Sequence, residues 1–286
     1  MRIGRYWARS HMHAIDPHGD PHHRSFLRAS FESQADAQRI ADQAAQQLKS
    51  QIERGTEPKD WYLYADRTRA EPLIEEILSE HNHRIGALTV NAYGACILNT
   101  ERVVFIDIDT PQPSARPRGF LKRLFSKPEP IDAEDPAEHV LSKLEAYCQS
   151  TPTRGARVYK TAAGLRVLLT GEQLDPCAEQ THALFHDLGA DPQYATLCRV
   201  QSCFRARLTP KPSRMRIGWP PEKIRAGSEP TSALHDWETA YHDECTAYAV
   251  CRLIVQIGPD TDDPDIARSQ SIHDEYCAVS SQLPLA

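Results

Sequence analysis

Apolar residues along this chain recur with two different periods. Between Ser33 and Gly55 they fall at Ala37, Ile40, Ala41, Ala44, Ala45, Leu48 and Ile52. That three-to-four spacing marks a helix with one buried stripe. Ser33 offers a side-chain cap at its start and Gly55 a stop, so a helix is expected over 34–54. Further helices are expected over 69–80, 136–149, 177–188, 235–254 and 268–280. Short apolar runs bounded by turn residues read instead as strands. Residues 2–9 form one, followed by a histidine-rich turn, "HAIDPHGDPHHR". "ALTVNAYGACIL" and "RVVFIDID", joined by "NTE", have the pattern of a hairpin, and "ARVYKTAAGLRVLLT" (156–170) that of a second, turning at Ala162 to Leu165.

This mixture predicts an α+β fold, with an antiparallel or mixed sheet flanked by helices. Its strands are expected to include 95–109, 156–170 and 199–208. Residues 1–84 would form an N-terminal α/β part, 85–220 the core, and 221–286 a C-terminal helical extension. Six prolines and a switch from basic to acidic residues mark 111–136 as a loop insertion. Within it, "GFLKRLFSK" (119–127) is a basic amphipathic turn.

Composition narrows the class. The 286 residues are 40% hydrophobic and 25% charged, the balance of an ordinary globular chain. No run of about 18 apolar residues is present and the N-terminus lacks a signal-peptide core, so no membrane partner and a cytoplasmic location are expected. Eight cysteines without a CxxC pair are expected as reduced thiols. A net charge of −6 argues against non-specific coating of nucleic acid. The charge is uneven, however: residues 199–225 hold eight lysines or arginines against the single acid Glu222. Their alternation with Phe204, Leu208, Met215 and Trp219 suggests strands with one basic face.

The stretch "VVFIDIDT" (103–110) carries the chemistry. Residues i and i+2 of a strand share a face, so Asp107 and Asp109 sit together at its end. Two adjacent carboxylates repel unless a cation intervenes. The choice lies between water or an arginine as their partner and a bound Mg²⁺ or Mn²⁺. A pair of such ions serves in-line phosphoryl or nucleotidyl transfer. That reaction needs a third carboxylate, for which Asp191 is available, and cations for a triphosphate. "RVYKTAAGLRV" offers Arg157, Lys160, Thr161 and Arg166 around a turn of small residues whose amides could approach phosphate.

The order of these motifs resembles the archaeo-eukaryotic primase superfamily, which includes the primase-polymerases. A hydrophobic strand ending D-x-D is matched by Asp107 and Asp109. A small or polar residue, any residue, then histidine is matched by Gly164-Leu165-Arg166, with arginine in place of the histidine. An aspartate followed by Tyr, Arg, Phe-Arg and Lys is matched by Asp191, Tyr194, Arg199, Phe204-Arg205 and Lys211. The resemblance spans about residues 85–215. It implies a primase-polymerase-like catalytic core in which Asp107, Asp109 and Asp191 are catalytic and hold two Mg²⁺ or Mn²⁺. Lys160, Thr161, Gly164, Arg166, Arg199, Arg205 and Lys211 would bind nucleotide and phosphate. The implied partners are nucleoside triphosphates, a DNA or RNA template or primer, and a replication or repair protein.

Two other readings stay open. One is a non-catalytic nucleic-acid-binding member of the same fold, consistent with Arg166. The other is a haloacid-dehalogenase-type phosphohydrolase, suggested by "FIDIDT" and by "TDDPD" (261–265), which would require a Rossmann-like strand order. His242, Cys245, His273 and Cys277 are zinc-ligand types, but they fall on expected helices and no zinc site is expected. His11, His13, His18, His22 and His23 are expected in a loop without metal.

Overall fold

The computed structural model describes residues 1, 3–56, 70–110 and 136–286. The amphipathic turn 119–127, the expected loop insertion before Pro136, and Trp61, Tyr62 and Tyr64 lie outside the described residues. Among the described residues, ten strands and six helices give the expected α+β class, with three antiparallel sheets.

The first sheet pairs β1 (Tyr6–Ile15) with β2 (Pro21–Ser30) in continuous antiparallel register. Against it lies α1 (Gln34–Glu53), where Ser33 accepts the Asp36 amide as the capping pattern predicts. Ala45, Leu48 and Ile52 pack on Met12, Ala14 and Phe26. The histidine-rich segment expected as a turn is mostly strand. Only the middle turns, where Asp16 Oδ1 accepts the amides of His18 and Asp20 and Gly19 takes a φ of +90°. Buried Met12 and Ala14 alternate with exposed His11 and His13, a period of two that the histidine content obscures.

The second sheet has the order β3-β4-β5-β9 and the third β10-β7-β8-β6. Their members are β3 (Leu73–Leu78), β4 (Arg84–Val90), β5 (Cys96–Thr100), β6 (Val104–Asp109), β7 (Gly155–Thr161), β8 (Gly164–Thr170), β9 (Phe204–Arg207) and β10 (Cys251–Ile257). The remaining helices are α2 (Pro136–Gln149), α3 (Glu179–Leu188), α4 (Pro192–Gln201), α5 (Ser232–Cys245) and α6 (Pro264–Tyr276).

Four expectations are corrected. The helix over 69–80 is replaced by strand β3. Its leucines and isoleucines fit either period, and pairing with β4 decides, with exposed Glu75 and half-buried Glu76 on a sheet edge. The hairpin expected between 87 and 109 turns earlier. Asn91 accepts the amides of Tyr93 and Ala95 through its side chain, closing β4 onto β5; Asn99 and Thr100 of "NTE" stay in β5, and residues 101–103 carry the chain to the other sheet. The helix over 235–254 stops at Cys245, and the β-rich run "CRLIVQI" becomes β10 beside β7. The basic strands expected from 199 onward reduce to β9. Asp191 and Pro192 form a helix start instead, with Asp191 as N-cap, and Ser202 ends that helix at a φ of 51°.

Sheet β10-β7-β8-β6 separates two cores. Val104, Ile106 and Ile108 of β6, with Val158 and Val167, face Leu144, Phe185 and Cys198 of the helices. On the other side, Phe105, Tyr159 and Leu168 join Ile77, Leu88 and Leu98 of the second sheet and Ile266 of α6. The result is a helix layer, a sheet and a second sheet. Among the described residues, no helix is long and apolar enough to cross a membrane.

One ion pair is buried in the second sheet. Arg205 Nη2 donates to both Glu71 oxygens at 2.8 and 2.9 Å, and Thr89 donates to the same carboxylate at 2.7 Å. Removing one partner of such a pair leaves a buried charge. Glu71→Ala is expected to lower stability by about 3–5 kcal/mol, read as a fall in the urea midpoint. Arg199→Ala, whose pair with Glu179 is exposed, is expected to cost under about 1 kcal/mol in the same measurement.

Candidate functional site at the end of β6

Strand alternation puts Phe105, Asp107 and Asp109 on one face of β6, the face shared with the second sheet. Across the ladder, Asp107 pairs with Arg166 and Asp109 with Gly164. Asp107 therefore faces an arginine. Arg166 Nε donates to Asp107 Oδ1 at 2.8 Å and Nη2 donates to Oδ2 at 3.3 Å. Arg166 is 1% exposed, while the Asp107 side chain keeps 36% of its surface. Burial favours loss of the guanidinium proton, but Asp107 foremost, with Cys251 and Cys277 adding to it, more than reverses this, so Arg166 is held as a cation. Its Nη1 donates to the Arg207 carbonyl at 2.8 Å and lies 3.4 Å from His273 Nε2. The arginine that the resemblance assigned to phosphate is thus engaged within the protein.

Asp109 is exposed and has no hydrogen-bond or ion-pair partner among the described residues. Gly164 lets the strands pair closely beside it, since a Cβ there would meet the Ile108 carbonyl at 2.0 Å. Asp191 reaches the same strand end through its backbone: its amide donates to the Asp107 carbonyl at 2.9 Å. Tyr194 reinforces the contact by donating to the Phe105 carbonyl at 2.5 Å. The Asp191 carboxylate accepts the Gln193 amide as a helix cap. The three aspartates are neighbours, yet with Asp107 turned to Arg166 and Asp191 to its cap they are not drawn into a three-ligand cluster.

The expected phosphate-binding residues divide. Lys160 is exposed, and its register opposite Leu165 puts it on the sheet face away from Asp107. Thr161 and Gly164 lie at the turn, but Thr161 Oγ1 accepts the amides of Ala163 and Gly164 at 3.3 and 3.0 Å, so those amides are satisfied locally. Arg199 pairs with Glu179, and Arg205 with Glu71, rather than with the aspartates. Lys211 is exposed at the start of a short 3-10 turn, Pro212–Arg214.

Arg207 is the cation that sequence reasoning passed over. Burial lowers its pKa to about 10, repulsion from Arg166 adds to this, Asp107 partly offsets it, and Arg214 repels it further. Among the described residues it has no carboxylate in ion-pair contact, and its Nη1 donates to the Thr209 carbonyl at 3.0 Å. Its position in a basic run gave no means of separating it from Arg205, two residues away on the same strand.

Comparisons with known protein families, with curated proteins and with solved structures return no match for this chain.

The two aspartates of β6 are expected to respond differently to mutation. Asp107→Ala strands a buried guanidinium and is expected to cost about 3 kcal/mol, whereas Asp109→Ala is expected to stay within about 0.5 kcal/mol of wild type. Urea denaturation of both variants checks this.

Proposed function

We propose that this chain is a metal-dependent nucleotidyltransferase acting at the end of β6, with nucleoside triphosphates and a DNA or RNA end as substrates. One observation carries the reading. Asp109, whose carboxylate has no partner among the described residues, shares a strand face with Asp107, and Asp191 is tethered to the carbonyl of Asp107. Carboxylate oxygens are hard donors that suit Mg²⁺ or Mn²⁺. Asp109 would lead the coordination, with Asp107 contributing lone pairs that Arg166 leaves free and Asp191 joining by leaving its cap. When bound, such ions neutralise charge on the attacking and leaving oxygens of an in-line displacement.

The chain's own groups have positioning roles in this reading. Arg166 fixes the orientation of the Asp107 carboxylate through a two-point contact that a lysine would not reproduce. Arg207 places positive charge near Asp107, where a triphosphate would lie, and Arg214 adds charge near Arg207.

A second reading rests on the same ion pair. With Asp107 already neutralised by Arg166, the fold could bind nucleic acid without catalysis. The phosphohydrolase reading loses its support, because the sheet holding β6 is antiparallel rather than Rossmann-like. In "TDDPD", moreover, Asp263 and Asp265 bind Arg102 at 2.6 and 2.9 Å.

Nucleotide incorporation on primed and unprimed templates, with Mg²⁺ or Mn²⁺, separates the first two readings. Extension that requires the metal and falls at least about 100-fold in Asp109→Ala is expected. This variant serves better than Asp107→Ala because it leaves the buried pair intact. Template binding without extension would favour the non-catalytic reading, and absence of both would overturn the two together.

A further inference from the structure

Behind Arg166, away from the exposed carboxylates, three metal-ligand types meet. Cys251 opens β10, and His273 and Cys277 lie four residues apart at the end of α6, on one helix face. Their sulfurs and an imidazole nitrogen all lie within 4.8 Å of one another. All three residues are fully buried. Cys251 Sγ is 3.8 Å from His273 Nε2. Ordinary bond lengths in a tetrahedral zinc site put sulfur and nitrogen ~3.5 Å apart and two sulfurs ~3.8 Å apart. The observed spacing is within a few tenths of an ångström of the first value.

A second observation points the same way. His273 Nδ1 is hydrogen-bonded to Asp274 Oδ1 at 2.9 Å. The other Asp274 oxygen accepts from Arg157 Nη2 at 2.9 Å, so the carboxylate is itself held. An imidazole whose Nδ1–H is donated to a carboxylate presents its Nε2 lone pair, here toward Cys251. This carboxylate–imidazole relay is the usual support behind a metal-bound histidine. The same lone pair faces Arg166 Nη1 at 3.4 Å, a contact that a bound cation would replace. Arg166 Nη1 has its main acceptor in the Arg207 carbonyl at 2.8 Å, and its charge is balanced by Asp107.

We propose that Cys251, His273 and Cys277 bind one thiophilic divalent cation, zinc foremost, which fastens the end of α6 to the start of β10. Soft thiolate ligands select zinc over the hard ions suited to Asp109. The site is thus chemically distinct from the carboxylates and does not depend on the nucleotidyltransferase reading. Three protein ligands leave a fourth position for a water.

The test uses the full chain, purified with reductant and without chelator, then equilibrated with Zn²⁺ or Co²⁺ and freed of excess. Elemental analysis is expected to find about one zinc per chain. The Co²⁺ form is expected to show sulfur-to-metal charge transfer in the near ultraviolet and the intense visible bands of a tetrahedral site. Both signals should vanish in Cys251→Ser and persist in Asp109→Ala and in Cys177→Ser. If Cys251→Ser does not fold, wild-type protein decides: titration with a mercurial reagent should release the zinc as thiols are consumed. Three results would overturn the proposal. One is no retained zinc with all eight cysteines titrating as free thiols. Another is cobalt bound without sulfur charge transfer. The last is zinc retained undiminished in folded Cys251→Ser, which would place the metal on other ligands such as the β1–β2 histidines.

Discussion

A guanidinium with 1% of its surface exposed has to find its acceptors inside the protein, and Arg166 draws the third sheet's surroundings together in doing so. Its ladder partner on β6 supplies the carboxylate, β9 supplies a carbonyl, and α6 brings an imidazole beside it. These segments are far apart in sequence, 59 residues in the first case and 107 in the last. The orientation of Asp107 follows from this requirement rather than from any ligand. The same strand therefore ends in one carboxylate committed to the fold and one, Asp109, exposed and without a partner among the described residues.

The outer edge of β6 explains how a third aspartate comes near. β6 is the last strand of its sheet, so carbonyls on its outer side have no strand to pair with. Two of them, Phe105 and Asp107, are taken by the Tyr194 hydroxyl and the Asp191 amide of α4. The helix start that covers the edge is thereby placed beside the strand end. Tyr194, buried among Phe185, Cys198 and Phe204, serves as a strut between helix and sheet. Its phenol is pushed well up by burial, which keeps it a hydrogen-bond donor.

Elements with one strong local signal were legible in the sequence. The α1 stripe with its serine cap, the β7–β8 hairpin and the apolar run of β6 all took the form their periods imply. β3 and β10 were not legible, because short runs such as "LIEEIL" and "CRLIVQI" fit two periods and are settled by pairing with β4 and β7. At the site, the shared face of Asp107 and Asp109 followed from strand geometry alone. That Arg166 would turn inward, that Arg205 would be buried against Glu71, and that Arg207 would lie near Asp107 depended on how two sheets stack. A basic run does not disclose which of its members the core will claim. The meeting of Cys251 with His273 was equally hidden, since Cys251 fell within the helix expected over 235–254 where β10 forms instead, and no zinc site was expected.

The strand order β10-β7-β8-β6 also governs when the protein can fold during its synthesis. The hairpin β7–β8 and its partner β6 are complete once residue 170 has been made, yet β10 ends at Ile257 and His273 lies further on. Until then a nascent chain carries Arg166 without two of its neighbours and β7 with one edge bare. Such long-range closure is slow compared with helix formation, and a ribosome adding roughly 5–20 residues per second holds the gap open for several seconds. The edge of β7 and the surroundings of Arg166 are complete only once β10 and α6 have been made.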